Sequence, residues 1–309
     1  MRHRTLVALL AVLALSVWAQ PAESQDGCIP YEPDPRLEPV DPTLSALTEA
    51  DALIIQAEFL VRPPGSDSYR MMVVPWTYLS YSNQSWIACK HRDYHGQPSA
   101  GNLGSGVLVG HYRVLTAKHV MNNPAPIGMS CEGSGPRRAF VFGYGNFTDP
   151  WQMTCEGGQC WVTVPEADVY FCNGIHYSPT YDWAVVDLDR RVTGRNPLPI
   201  REQPYAPDPY TDITIVGHPN RIPMKVQHTE IPQGGGYTVR AHVLGGSSGS
   251  MAVDDTTGEV VGVLSTGGAF PLEGCQPDPV PAPCYREWFT NPSASATMVA
   301  AYLAGAYIP

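Results

Sequence analysis

G-S-G-V-L-V-G-H-Y-R-V-L-T-A-K-H-V, residues 104 to 120, reads as two short apolar strands, V-L-V and V-L-T, joined by a turn over Gly110 to Arg113. His119 follows the second strand. Imidazole titrates near neutrality, so a histidine fixed at a strand end is well placed to act as a base. Downstream, Y-D-W-A-V-V-D-L-D, residues 181 to 189, sets Asp182 at the start of another apolar strand. A carboxylate is costly to bury there without a partner, and a histidine N–H would serve. Asp187 and Asp189 compete for that role, but the alternation in V-V-D-L-D ends the strand with both facing solvent.

Further on, G-G-S-S-G-S at residues 245 to 250 places Ser248 among glycines, just before the hairpin pattern M-A-V-D-D-T-T-G-E-V-V-G-V-L. Glycine admits backbone conformations closed to other residues and lets a substrate carbonyl approach main-chain N–H groups closely. Gly246 and Ser248 are the expected donors, and Ser248 Oγ the expected nucleophile; Ser247 and Ser250 lack the same flanking pattern.

Composition is consistent with strands. The chain has 309 residues with 29 glycines and 31 prolines, which suits a loop-rich all-β protein. The formal net charge of −10, with only 16% charged residues, excludes the basic footprint that nucleic acid requires. No repeat of 20 to 50 residues is visible, and no residues require a cofactor.

T-A-x-H, D-x-A-x-x-x-L and G-x-S-G-S, each present once and in that order, resemble the three motif blocks of the chymotrypsin-like (trypsin-like) serine peptidases over about residues 76 to 309. G-S-S-G-S and I-V-G-H-P-N, residues 215 to 220, look most like the bacterial glutamyl endopeptidase group. The resemblance implies a two-barrel chymotrypsin-like fold with a C-terminal α-helix and a triad of His119, Asp182 and Ser248, with Gly246 and Ser248 forming the oxyanion hole. It implies a serine endopeptidase acting on protein or peptide substrates as a monomer. The alternatives are a catalytically inactive binding module on the same fold, or a narrow self-processing peptidase.

By the same resemblance the specificity pocket is lined by His242 and by Leu264, Ser265, Thr266 and Gly267, with Ser265 supporting the aspartate. Glutamyl endopeptidases carry a histidine in that later strand, where this chain has V-L-S-T-G-G, a departure that leaves the preferred side chain open. The trypsin branch pairs an aspartate before the nucleophile with a newly made amino terminus; Ser247 stands there in this chain.

Arg2 and Arg4 precede an apolar run from Leu6 to Ala19, too short to span a membrane, which reads as a secretory signal cut after Ala19. A secreted, extracellular or periplasmic protein with no membrane attachment after cleavage follows. All eight cysteines lie beyond the cut, so disulfides are expected. Eight cysteines permit 105 pairings. Cys89 and Cys131 bracket His119 and resemble the family's histidine-loop pair; Cys155 with Cys160 and Cys275 with Cys284 are local candidates, leaving Cys28 with Cys172. Read instead as metal ligands, Cys89, His91 and His95 match no zinc spacing, and no metal is expected.

The expected organisation is a signal (1–19), an N-terminal extension or propeptide (20–75) and a peptidase domain (76–309). Within 20–75, Thr43 to Leu60 carries a short helical pattern with Thr48 and Asp51 as possible caps. Within the domain, the first barrel spans about 76–189, interrupted by a Gly/Cys-rich excursion from about 131 to 178. A proline-rich linker covers about 190–211, the second barrel about 212–290 and a helix about 293–307.

Overall fold

The computed structural model describes residues 42–75, 97–101, 103–122, 131, 137–145, 153–179, 181–201, 208–231, 238–241, 245–269 and 285–289. The chain begins with α1 (Pro42–Ala50) and β1 (Asp51–Gln56). A short β2 (Leu60–Val61), β3 (Ser68–Pro75) and β4 (Pro98–Ala100) follow. Next, β5 (Gly104–Gly110) and β6 (Arg113–Thr116) form the expected hairpin and lead into a one-turn helix, α2 (Lys118–Met121).

Then come β7 (Arg138–Phe142), β8 (Met153–Glu156), β9 (Gln159–Pro165), β10 (Val169–Tyr177) and β11 (Ala184–Leu188). The remaining strands are β12 (Asp212–Gly217), β13 (Lys225–Glu230), β14 (Thr238–Ala241), β15 (Met251–Asp254), β16 (Val260–Ala269) and β17 (Tyr285–Phe289).

β1, β5, β6, β11, β10 and β7 close into an antiparallel barrel. A six-stranded sheet in the order β13-β12-β15-β16-β17-β14 forms the second unit, and its end strands β13 and β14 lie against each other. This is the expected all-β, two-barrel chymotrypsin-like architecture. A further sheet, β2-β3-β9-β8 with β4 on β3, covers the outside of the first barrel. The expected C-terminal helix and the signal lie outside the described residues.

The N-terminal boundary of the domain needs correction. Residues 51–56 are a barrel strand: Leu53 pairs with Ser105 of β5 on one side and Val141 of β7 on the other. The helical pattern accordingly stops at Ala50, and Asp51 opens a strand. The stretch D-A-L-I-I-Q is buried at every position because Ala52 and Ile54 face the barrel core while Leu53 and Ile55 pack under the covering sheet. A strand buried on both faces shows no alternation, and a short continuous apolar run cannot be told from helix by period alone.

The excursion expected over 131–178 is likewise mostly sheet. β7 and β10 complete the barrel, and β8 and β9 form a hairpin in the covering sheet. Cys155 bonds Cys160 across that hairpin. Cys131 bonds Cys172 of β10 and not Cys89, which corrects both the histidine-loop pairing and the residual Cys28–Cys172 assignment. Cys28, Cys89, Cys275 and Cys284 lie outside the described residues.

From Arg190 the chain crosses to the second unit along the first: Val192 N–H donates to His111 O, and Leu198 N–H to Leu108 O. Ile200 then bridges Val260 of β16. One apolar cluster runs through both units, joining Val107, Val114 and Val186 to Val216, Met251 and Val263, so the two barrels share a seam of core packing. The segments carrying His119, Asp182 and Ser248 lie along that seam.

Candidate active site

β6 ends at Thr116, and α2 begins two residues later, so His119 stands on a single helical turn at the barrel's rim with 45% of its side chain exposed. β11 pairs with β6 from Ala184 opposite Thr116, which sets the preceding loop beside α2. Three bonds then fix Asp182 to α2, two of them to His119. Lys118 N–H donates to Asp182 O (3.2 Å), His119 N–H to Asp182 Oδ1 (2.9 Å), and Asp182 Oδ2 lies 2.7 Å from His119 Nδ1. Lys118 Nζ donates to Ser178 O (3.0 Å), and Tyr181 N–H to Ser178 Oγ (2.9 Å), which hold the loop that carries Asp182.

Ser265, on β16, donates its hydroxyl to Asp182 Oδ2 at 2.5 Å. Burial alone would raise the Asp182 carboxyl, but the hydrogen bonds from the His119 ring, the Ser265 hydroxyl and the His119 N–H outweigh it and hold the group below the usual carboxylate range. An ionised carboxylate only accepts, so the neutral imidazole carries its proton on Nδ1 and keeps its lone pair on Nε2. Asp187 serves a different cluster: Arg113 Nε at 3.2 Å and His176 Nε2 at 3.0 Å. Asp189 accepts from Phe171 N–H.

The G-G-S-S-G-S segment is a pair of tight turns, with Gly246 at φ +101° and Gly249 at φ +84°, both in the region that favours glycine. Gly249 N–H donates to Leu264 O, Leu264 N–H to Ser250 O and Ser250 N–H to Ser247 O, which seats the segment on the start of β16. The far side rests on the first barrel. Ser105 N–H donates to Ser248 O at 2.8 Å, and Ser105 O accepts from Thr116 Oγ1 at 2.6 Å. One residue of β5 therefore binds the main chain of Ser248 and the side chain of the residue three before His119.

Packing at that point is close. A Cβ on Gly104 would lie 2.6 Å from Ser248 O and 2.8 Å from the side chain of Val120. Ser248 makes no hydrogen bond to His119 among the described contacts, and such nucleophile–base bonds commonly tighten only with substrate bound. Among the described residues none accepts from the N–H of Gly246 or Ser248.

Of the residues assigned to specificity, His242 lies outside the described residues. Leu264 is 1% exposed and belongs to the second unit's core with Ile213, Ile215 and Val261. Thr266 and Gly267 continue β16 opposite Trp288 and Glu287 of β17. Ser265 is placed on Asp182, as described above. Three residues not expected at the site are buried beside the G-G-S-S-G-S turns: Ser105, Asp51, which the sequence offers only as a possible helix cap, and His218, which it offers only within I-V-G-H-P-N. The one signal for His218 was a polar ring ending an apolar strand, I-V-G-H-P.

Residues 104–263, more than half of the chain, match the model of the trypsin-like peptidase domain, and the chain belongs to that family. Similar solved structures include the serine endoprotease from Yersinia pestis, with TM-score 0.45 and 16% identity over 86% of this chain and 67% of that one. Another is Rv3671c from M. tuberculosis H37Rv in an inactive form, with TM-score 0.44 and 16% identity over 91% of this chain and 99% of that one. No curated protein matches the sequence.

Proposed function

We propose that this trypsin-like peptidase is a secreted serine endopeptidase that cleaves protein or peptide substrates through His119, Asp182 and Ser248, working as a monomer. The carrying observation is the set of bonds on Asp182: ring, main chain and Ser265 hydroxyl together fix one tautomer and one orientation of His119.

In the reaction, His119 Nε2 takes the proton of Ser248 Oγ as that oxygen attacks the scissile carbonyl. The resulting imidazolium is stabilised by the ionised Asp182. The developing oxyanion is received by the N–H groups of Gly246 and Ser248, each such donor being worth about 3 kcal/mol in comparable enzymes. Collapse breaks the C–N bond, with His119 returning the proton to the leaving amine. Water then attacks the acyl-serine with His119 again as base, releasing the acid and restoring Ser248.

Two features support export. One is the apolar run from Leu6 to Ala19 behind Arg2 and Arg4; the other is the pair of disulfides, which persist in oxidising compartments. Among the described residues no helix is long and apolar enough to cross a membrane. The glutamyl preference has the resemblance of I-V-G-H-P-N and G-S-S-G-S behind it and V-L-S-T-G-G against it, so acidic specificity is not part of the proposal.

The test is turnover of fluorescently labelled casein by the disulfide-intact protein. Cleavage that falls by a factor of about 10³ or more in Ser248→Ala and in His119→Ala supports the reading. Equal cleavage by wild type and Ser248→Ala, or none by wild type, refutes it.

A further inference from the structure

Asp51 and His218 are each 1% exposed, and Asp51 Oδ2 lies 2.8 Å from His218 Nε2, off the line of an ideal N–H···O bond. The first residue comes from β1 of the first barrel and the second from the end of β12 in the second. On the opposite side of the ring, Nδ1 lies 3.1 Å from Ile222 O. A carbonyl only accepts, so Nδ1 points its hydrogen at Ile222 O, and Nε2 is the ring nitrogen turned to the carboxylate. A carboxylate this deep is tolerated only with such a partner.

The ring anchors a turn, and the turn carries Gly245 and Gly246. His218 O accepts from Arg221 N–H (2.9 Å), and Asn220 N–H donates to Gly245 O (2.7 Å). Asn220 and Arg221 both have positive φ, 49° and 59°, a strained arrangement for non-glycine residues that surrounding bonds must hold. Ser99 Oγ helps by donating to Asn220 O (2.7 Å). Gly246 lies flat on the same turn: a Cβ there would meet His218 O at 2.8 Å and Arg221 N at 2.9 Å. Finally, Ser105 Oγ accepts from His218 N–H and donates to Gly246 O, both at 2.9 Å. Ser247 has no charge with which to anchor the segment from within.

We propose that the buried Asp51–His218 pair positions the Gly245–Gly246 turn from behind, acting through the 218–221 turn and Ser105, and so sets the aim of the Gly246 N–H. His218 and Asp51 touch no substrate in this account; they are positioning residues. Because the carboxylate comes from β1, the oxyanion turn of the second barrel is tied directly to the first barrel. The kinetic part of this proposal rests on the peptidase reading; the structural part does not.

The test compares Asp51→Asn, Asp51→Leu and Ser105→Ala in the full, disulfide-intact chain, by hydrogen exchange of the peptide spanning Gly245 to Ser250 and by steady-state cleavage of labelled casein. In Asp51→Asn the new amide can donate to His218 Nε2, so exchange and kcat stay within about threefold of wild type. In Asp51→Leu the side chain fills the volume but offers no hydrogen bond. Exchange at residues 245 to 250 accelerates about tenfold or more while β5 and β6 keep their protection, and kcat falls about 10- to 100-fold with KM within about threefold. Ser105→Ala gives the same pattern and stands in if Asp51→Leu does not fold. Wild-type exchange at 245 to 250 in folded Asp51→Leu and Ser105→Ala overturns the proposal, whatever the activity. Accelerated exchange in a chain whose wild type cleaves nothing supports the positioning and sinks the peptidase reading alone.

Discussion

Ser265 Oγ, on β16 of the second barrel, donates to the same Asp182 oxygen that faces the His119 ring in the first, at 2.5 Å and 2.7 Å respectively. The carboxylate is therefore oriented by both halves of the molecule. A hydrogen bond to a charged group contributes roughly 1.5–3 kcal/mol.

Removing that hydroxyl should loosen Asp182 without emptying the core. Ser265→Ala is expected to lower kcat on labelled casein by about tenfold and the melting temperature by several degrees, with the fold retained. An unaltered kcat would show that β16 has no part in orienting the carboxylate.

Asp182 also links the site to acid stability. Its carboxyl is held below the usual range in the folded state, so the unfolded chain takes up the proton first as pH falls. The contribution is complete above about pH 4, the ordinary aspartate range, and is lost as pH drops through the lower folded value. Asp255 is displaced the same way: burial would raise it, but hydrogen bonds from His228 and Thr214 prevail. Melting temperature should thus fall below about pH 4, and Asp182→Asn should reduce that slope without abolishing it. Identical slopes would argue against the assignment.

A chain beginning at residue 76 should not fold. It lacks β1, whose Leu53, Ile54 and Ile55 are fully buried. At roughly 1.5–3 kcal/mol for each such side chain, their loss alone reaches the lower part of the typical 5–15 kcal/mol margin of a domain. Circular dichroism and limited proteolysis of that truncation provide the check; a cooperative melt like the full chain's would restore the propeptide reading of this segment.

Peptide mapping without reduction should recover Cys131 linked to Cys172 and Cys155 linked to Cys160. The first ties the segment after α2 to barrel strand β10, and Cys131→Ser should cost about 2–4 kcal/mol of stability. A Cys89–Cys131 peptide would reverse the correction made above.

Much of the site was legible because its motifs are local. A hairpin followed by His119, a strand opening at Asp182 and glycines around Ser248 are each set by a few neighbouring residues, and β5, β6 and β11 form where the pattern places them. β1 was not legible, because a strand sandwiched between barrel core and covering sheet loses the alternation that distinguishes strand from helix. The partner of Cys131 depends on where β10 returns to the barrel, which no spacing encodes. Asp51 and His218 meet only because the barrels dock, so in sequence one read as a helix cap and the other as part of a motif.

The most direct measurement is covalent labelling of the disulfide-intact protein by a fluorophosphonate probe, with the modified peptide located by mass spectrometry. The account predicts modification at Ser248, none in Ser248→Ala, and labelling slowed at least about 100-fold in His119→Ala, as expected when a nucleophile loses its base. Labelling that persists in Ser248→Ala, or a folded wild type that does not react, would contradict it.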